Sequence, residues 1–157
     1  MPRDAAIQVL ISTLHQTAAL FDQPDAVLAR AYAPGKWTLR QLLIHVSDTE
    51  TVLLDRLRRI ASDEKPVLTA FDQDLWARHL HYGQRDMAIA RQQFEVARRG
   101  VVELARILPD SYDQKTGTHS EVGVLSFAST LAKVQKHNLH HLEQANACVE
   151  GRIWKPQ

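Results

Sequence analysis

Four stretches of the chain repeat apolar residues at the alternating three-and-four spacing that collects them on one face of an α-helix. Ile7, Leu10, Ile11, Leu14, Ala18 and Phe21 make the first stripe, and Leu39, Leu43, Val46, Leu53, Leu57 and Ile60 the second. Met87, Ala90, Phe94, Ala97, Val101, Leu104 and Leu108 make the third, and Val124, Phe127, Leu131, Val134, Leu142, Ala145 and Val149 the fourth. The breaks between them carry the expected punctuation. Asp22-Gln23-Pro24-Asp25 ends the first helix and caps a short turn through Ala31, Pro34-Gly35 interrupts the chain, and Thr38 is placed to cap the second helix. Pro109-Asp110 stops the third helix, a polar loop follows, and Gly151 ends the fourth. The pattern predicts helices near 3–21, 38–61, 84–108 and 123–150, with no convincing strand and no internal repeat. The intervening residues 62–83, with only a short helical stretch around Asp72 to Leu80, are too long for a tight hairpin and suit a crossover or a lid. The expected fold is all-α, a four-helix bundle in a single domain over residues 1–157.

Composition changes this picture little. A 157-residue chain that is 45% hydrophobic and 24% charged is one globular domain with an ordinary core. Its 19 basic and 18 acidic side chains nearly cancel, which argues against a nucleic-acid partner. Arg56, Arg58 and Arg59 form the densest basic cluster and read as a solvated helix face. There is no apolar run of membrane-spanning length and no signal-peptide core in Met1-Pro2-Arg3-Asp4-Ala5, so no membrane partner is expected and the expected compartment is the cytoplasm. The lone Cys148 fits a reducing compartment and reads as a small core residue.

The chemistry concentrates in the histidines of the fourth helix. His137 and His141 are four residues apart, so both imidazoles lie on one flank of the apolar stripe, whereas His140 turns to solvent. His45, on the second helix with Leu42 and Thr49, occupies the equivalent flank. Its height is about 9 Å from the start of its helix, and the His137/His141 pair is about 15 Å from the end of its own at 1.5 Å per residue. The three histidines meet if the two helices are antiparallel and miss by more than two turns if they are parallel. Neutral imidazoles suit zinc or nickel, and three of them leave positions open for water or substrate. Glu50 falls inside the second stripe, where a carboxylate is costly to bury without a partner; it is the candidate to orient a ligand imidazole.

Two stretches together carry a family resemblance: Gly35-Lys36-Trp37-Thr38 followed by Leu42-Leu43-Ile44-His45-Val46-Ser47-Asp48-Thr49-Glu50, and His137-Asn138-Leu139-His140-His141-Leu142-Glu143-Gln144. The chain resembles the DinB/YfiT superfamily over nearly its whole length. That resemblance implies an up-down-down-up bundle, often a homodimer, with a divalent metal on His45, His137 and His141. It also implies a metal-dependent transferase joining a low-molecular-weight thiol, such as bacillithiol, mycothiol or glutathione, to an electrophile. His119 matches a histidine often found ahead of the family's last helix and is not expected to be a ligand.

On chemical grounds the open site could activate a thiol, or activate water for hydrolysis, or hold a purely structural ion in a binding or interaction bundle. His15, His79, His81 and His140 have no partner at ligand spacing and read as surface or core residues. Trp37 and Trp76 read as packing anchors, with Trp76 placed to close over a cleft. Arg91 and Arg98 share a face of the third helix, which reads as solvated, although the pair could clamp carboxylates of a thiol.

Overall fold

The structure is a computed structural model that describes residues 3–156. Its long helices are α1 (Arg3–Leu20), α3 (Leu39–Ser62), α5 (Met87–Ile107) and α6 (Phe127–Glu150), with short helices α2 (Asp25–Leu28) and α4 (Gln73–His79) in the connections. Helix starts follow their caps. Thr38 and Gln41 close a reciprocal capping box at the head of α3, as the sequence predicts. Asp86 accepts a hydrogen bond from Ile89 N (2.9 Å) and so starts α5 at Met87, the first residue of its stripe and three residues after the expected bound at 84. Gly151 ends α6 in the left-handed conformation at φ +69°, with Arg152 N donating to Ala147 O.

The expectation that strands are absent, and that the last helix starts at 123, is corrected. Val67–Leu68 (β1), Thr116–His119 (β2) and Gly123–Ser126 (β3) form a three-stranded sheet in that order, β1 parallel to β2 and β2 antiparallel to β3. Val124 is therefore a strand residue and is 69% exposed, not part of the helix seam. The Ser126–Ser129 capping box fixes the true helix start at Phe127. These strands are two to four residues long, too short for alternation to register against the helical pattern. Close packing holds the sheet to α3: a Cβ at Gly117 would lie 3.1 Å from Pro66 Cγ and 3.2 Å from Ile60 Cγ1.

Helix directions follow from two buried apolar clusters. One contains Leu20, Leu39, Leu43, Ala90, Phe94, Ala145 and Cys148. The other contains Ile7, Leu57, Ile60, Val101, Ala105, Phe127 and Leu131. α1 and α6 thus run from the second cluster to the first, while α3 and α5 run the opposite way. This is the up-down-down-up arrangement, with α3 and α6 antiparallel. Since α3 ends in one cluster and α5 begins in the other, the connection between them must cross the bundle's length. It contributes β1, α4 and the buried Tyr82 on the way.

A layer of buried polar side chains separates the clusters. Arg98 and Glu50 are both fully buried, and Arg98 donates to Glu50 Oε1 (2.5 Å) and Oε2 (3.0 Å). The same guanidinium donates to Leu10 O (3.1 Å), Thr13 Oγ1 (3.0 Å) and Asn138 Oδ1 (3.4 Å), so it ties all four long helices together. Asn138 also donates to Thr17 Oγ1 at 3.1 Å. The solvated-face reading holds for neither arginine in full: Arg91 is half-exposed and pairs with Asp22 and Glu95, and Arg98 is a core cation. A charge this deep is tolerable because Nε, Nη1 and Nη2 each donate to an acceptor and the guanidinium lies over the Phe94 ring. No helix is long and apolar enough to cross a membrane among the described residues.

Candidate metal centre

The antiparallel pairing of α3 and α6 brings three imidazoles together at one height. The Nε2 atoms of His45 and His137 are 3.0 Å apart, and the ring centroids of the trio are separated by 4.4 to 5.0 Å. One ring nitrogen of each of His45, His137 and His141 lies within 4.8 Å of the other two, so the three could hold a metal ion. Ligands about 2.0–2.1 Å from a tetrahedral zinc stand roughly 3.3 Å apart, close to the observed His45–His137 separation. The donor set also calls for a cation. Each neutral imidazole turns one lone pair and one N–H to its surroundings, the Nε2 atoms of His45 and His137 face each other where a cation could take both lone pairs, and His137 Nδ1 is buried without a hydrogen-bond partner.

Local hydrogen bonds orient two of the rings. Gln144, three residues after His141 and so on the same helix face, accepts at Oε1 from His141 Nδ1 (2.7 Å). That bond puts the proton on Nδ1 and leaves the Nε2 lone pair free. The amide nitrogen of Gln144 in turn donates to His140 Nε2 at 3.2 Å. His140 is exposed and outside the trio, as its angular position predicts, but it stands behind His141 through this amide. His45 is 2% exposed, with the Thr49 hydroxyl 3.4 Å from its Nδ1 and the Trp37 ring packed against it.

Burial holds all three histidines neutral. The pKa of His45 falls to about 3, chiefly from burial and then from the nearby His141, with Asp48 opposing weakly. That of His141 falls to about 4 from burial, against the Gln144 bond, which favours the charged form. His137 is held well below the usual imidazole range by burial and by its two histidine neighbours. Protons therefore compete little for these nitrogens at neutral pH.

The role anticipated for Glu50 is corrected. Both of its oxygens are occupied by Arg98, and neither hydrogen-bonds an imidazole. Its burial requires a cation, and α5 supplies one where the sequence suggested a histidine. Asp48 is engaged as fully, by Tyr82 Oη (2.9 Å), Arg85 Nη1 (2.6 Å) and Gln93 Nε2 (2.9 Å). The group that orients a ring is Gln144, whose i, i+3 spacing from His141 was visible in the sequence.

His45 and His137 open onto a cavity of about 420 Å³ between α3, α6, the β2–β3 turn and the chain after β1. Leu53, Phe71 and Leu125 give it an apolar lining, and Arg56, His119, Glu121 and Lys133 give it polar groups. Arg56 thus belongs to the cavity wall and not to the solvated face expected of it, while Arg58 and Arg59 are exposed. His119 is buried and lines the same cavity but is not part of the trio: its Nδ1 accepts from Glu121 N (3.2 Å) and Val122 N (3.4 Å). Trp76 lines a separate cleft with Asp48 and Arg85, and touches the histidine cavity only through its packing on Phe71. His15, His79 and His81 are exposed surface residues.

The sequence profile of the DinB superfamily matches residues 10–145. A protein of Oceanobacillus iheyensis, provisionally named a metal-dependent hydrolase, is 30% identical over 118 residues, covering 75% of this chain and 68% of its own. A second protein of that organism with the same provisional name is 25% identical over 135 residues, covering 86% of this chain and 78% of its own. Among solved structures, YfiT from Bacillus subtilis superposes with a TM-score of 0.87 at 20% identity, covering 95% of this chain and 86% of that one. YfiT is described, again provisionally, as a metal-dependent hydrolase with an unusual four-helix bundle topology. The chain belongs to the DinB superfamily.

Proposed function

We propose that this member of the DinB superfamily is a metal-dependent enzyme that holds one divalent ion, zinc or nickel, through His45, His137 and His141 and transfers a low-molecular-weight thiol to an electrophile. The observation that carries the reading is the combination of three neutral, converging imidazoles with two flanking carboxylates that are already bound elsewhere. A divalent ion held by three imidazoles keeps a position open for an exogenous ligand and lowers the pKa of a thiol or water there. A thiol, with a free pKa of about 8.5, needs no further base to ionise in such a site, whereas water starts far higher and gains from a positioned carboxylate. Here Glu50 and Asp48 are not free for that work.

The chain's own residues then have defined tasks. Gln144 fixes the His141 tautomer, Thr49 and Trp37 restrain the His45 ring, and Leu53, Phe71 and Leu125 shield the reacting end from water. In the transfer a bond forms between sulfur and an electrophilic carbon, the leaving group departs with its electron pair, and the thiol proton passes to solvent.

A second reading, hydrolysis of an ester or amide at the same centre, is supported by the provisional names of the relatives and of YfiT. One set of assays separates them. Metal-loaded protein with monochlorobimane and bacillithiol, mycothiol, glutathione or cysteine is expected to form conjugate above the uncatalysed rate, with loss on chelation and in His45→Ala. Metal-dependent release of acid from an ester or amide panel, with no conjugate, favours hydrolysis. Failure of both, with a thermal midpoint several degrees lower after chelation, makes the ion structural. Metal content is expected to fall sharply in His141→Ala and not in His140→Ala; equal losses would overturn the ligand assignment.

A further inference from the structure

We infer that the substrate handled in this cavity is an organic acid whose carboxylate is held by Arg56, with His119 beside it, while its apolar body lies against Leu53, Phe71 and Leu125. The inference rests on the proposed reading of the three histidines as the reacting centre, and adds to it the chemical class of what enters.

Arg56 follows His45 on α3 by eleven residues, which is three helical turns, so both side chains leave the same face about 16 Å apart along the axis. Both line the one cavity. The carboxylate is therefore the tail of the substrate and not its reacting end. The guanidinium is held but not saturated: Nη2 donates to Thr69 O (2.8 Å), whereas Nε is buried and has no partner. Among the described residues Arg56 makes no ion pair; neighbouring Asp55 is bound by Arg59, and Glu121, exposed in the wall of the same cavity, acts on Arg56 by its charge without pairing with it. A buried N–H left unpaired is costly, and a planar carboxylate is the partner an arginine fork fits best. His119 is prepared as a second donor. Its Nδ1 accepts two backbone N–H groups of the β2–β3 turn, so in the neutral ring the proton sits on Nε2, the nitrogen not engaged by protein. Lys133 lies one helical turn before His137 on the same face of α6, so its charge borders the histidines and not the Arg56 end.

The probe pair is 3-phenylpropanoate and its neutral amide, 3-phenylpropanamide, titrated calorimetrically into the full chain both with chelator and with zinc. The acid is expected to bind roughly tenfold or more tightly than the amide in both states, as for a charge-assisted hydrogen bond. Arg56→Gln should remove most of that preference. Because this change also removes the bond to Thr69 and could disturb the sheet, Glu121→Gln, at an exposed position of the same cavity, gives an independent check: removing a carboxylate that competes for Arg56 should raise the preference several-fold. His141→Ala should leave it intact. Equal binding of acid and amide, a preference that neither falls in Arg56→Gln nor rises in Glu121→Gln, or one that disappears with chelator because the acid sits on the ion, would each overturn the inference. A protein that retains no ion but still prefers the acid through Arg56 refutes the metal reading alone. A protein that binds the ion and ignores the carboxylate refutes this inference alone.

Discussion

Glu50→Leu removes the partner of a guanidinium that has no access to water, and its cost can be worked from the contacts. Both side chains are fully buried, and Arg98 makes two bonds to Glu50, at 2.5 and 3.0 Å. Leaving one half of such a pair unpaired costs about 3–5 kcal/mol, out of a total stability of about 5–15 kcal/mol for a domain. For a chain of this length each kcal/mol lowers the thermal midpoint by about 2–4 °C, so the expected fall is roughly 6–20 °C. Arg98→Met should be at least as damaging, since it also strips Leu10 O and Thr13 Oγ1 of their donor. The double variant Glu50→Leu with Arg98→Met buries no charge and should be more stable than either single variant. Urea melts with circular dichroism, run on all four proteins at pH 7.5, provide the cycle. Single variants within about 1 kcal/mol of the parent, or a double variant as unstable as the sum of the two, would refute the reasoning that the pair acts as a desolvated unit.

Two further outcomes follow from the site. Gln144→Ala should weaken zinc retention by roughly 10–100-fold through loss of the bond that sets the His141 tautomer, measured by competition with a chromogenic chelator; unchanged affinity would remove Gln144 from the centre. In the metal-free protein, His45 and His141 have pKa values lowered to about 3 and about 4, and His137 is lowered as well. The unfolded chain therefore takes up protons first as pH drops. Stability from these neutral rings is fully present above about pH 6.5 and is lost on acidification toward pH 4, by at most roughly 2 kcal/mol per histidine at pH 5. Urea midpoints at pH 7.5, 6 and 5 with chelator test the sign, and a midpoint that rises on acidification would contradict it.

The helices and the histidine trio were legible in the sequence because both rest on one period. The same 100° per residue that assembles Leu39, Leu43 and Val46 into a seam puts His45 on its flank and pairs His137 with His141. Height counting then supplied the antiparallel requirement. What failed to show were contacts made between elements far apart in the chain. Nothing near Glu50 announces that its partner is Arg98, because an arginine placed beside a seam looks the same whether it faces water or a carboxylate on another helix. The β2–β3 hairpin was invisible for another reason: its four-residue strands adjoin an apolar helix start, and Val124 extends the helical stripe by coincidence. By charge density Arg56 belongs with Arg58 and Arg59, and only the folded sheet reveals that it lines the cavity.

The cavity draws its two sides from parts of the chain with different obligations. His45 and His137 stand on helices whose register is locked by the bundle interior, so their positions cannot drift without unfolding the domain. The facing residues, Phe71, His119 and Val122, stand on a crossover segment and a hairpin tip that add little to that interior. Substitution, insertion or exchange there alters what fits while leaving the imidazoles in place. The architecture therefore separates reactivity from selectivity along the chain, and grafting the segments around 69–73 and 119–123 from one such bundle onto another is a direct way to move a preference without rebuilding a centre.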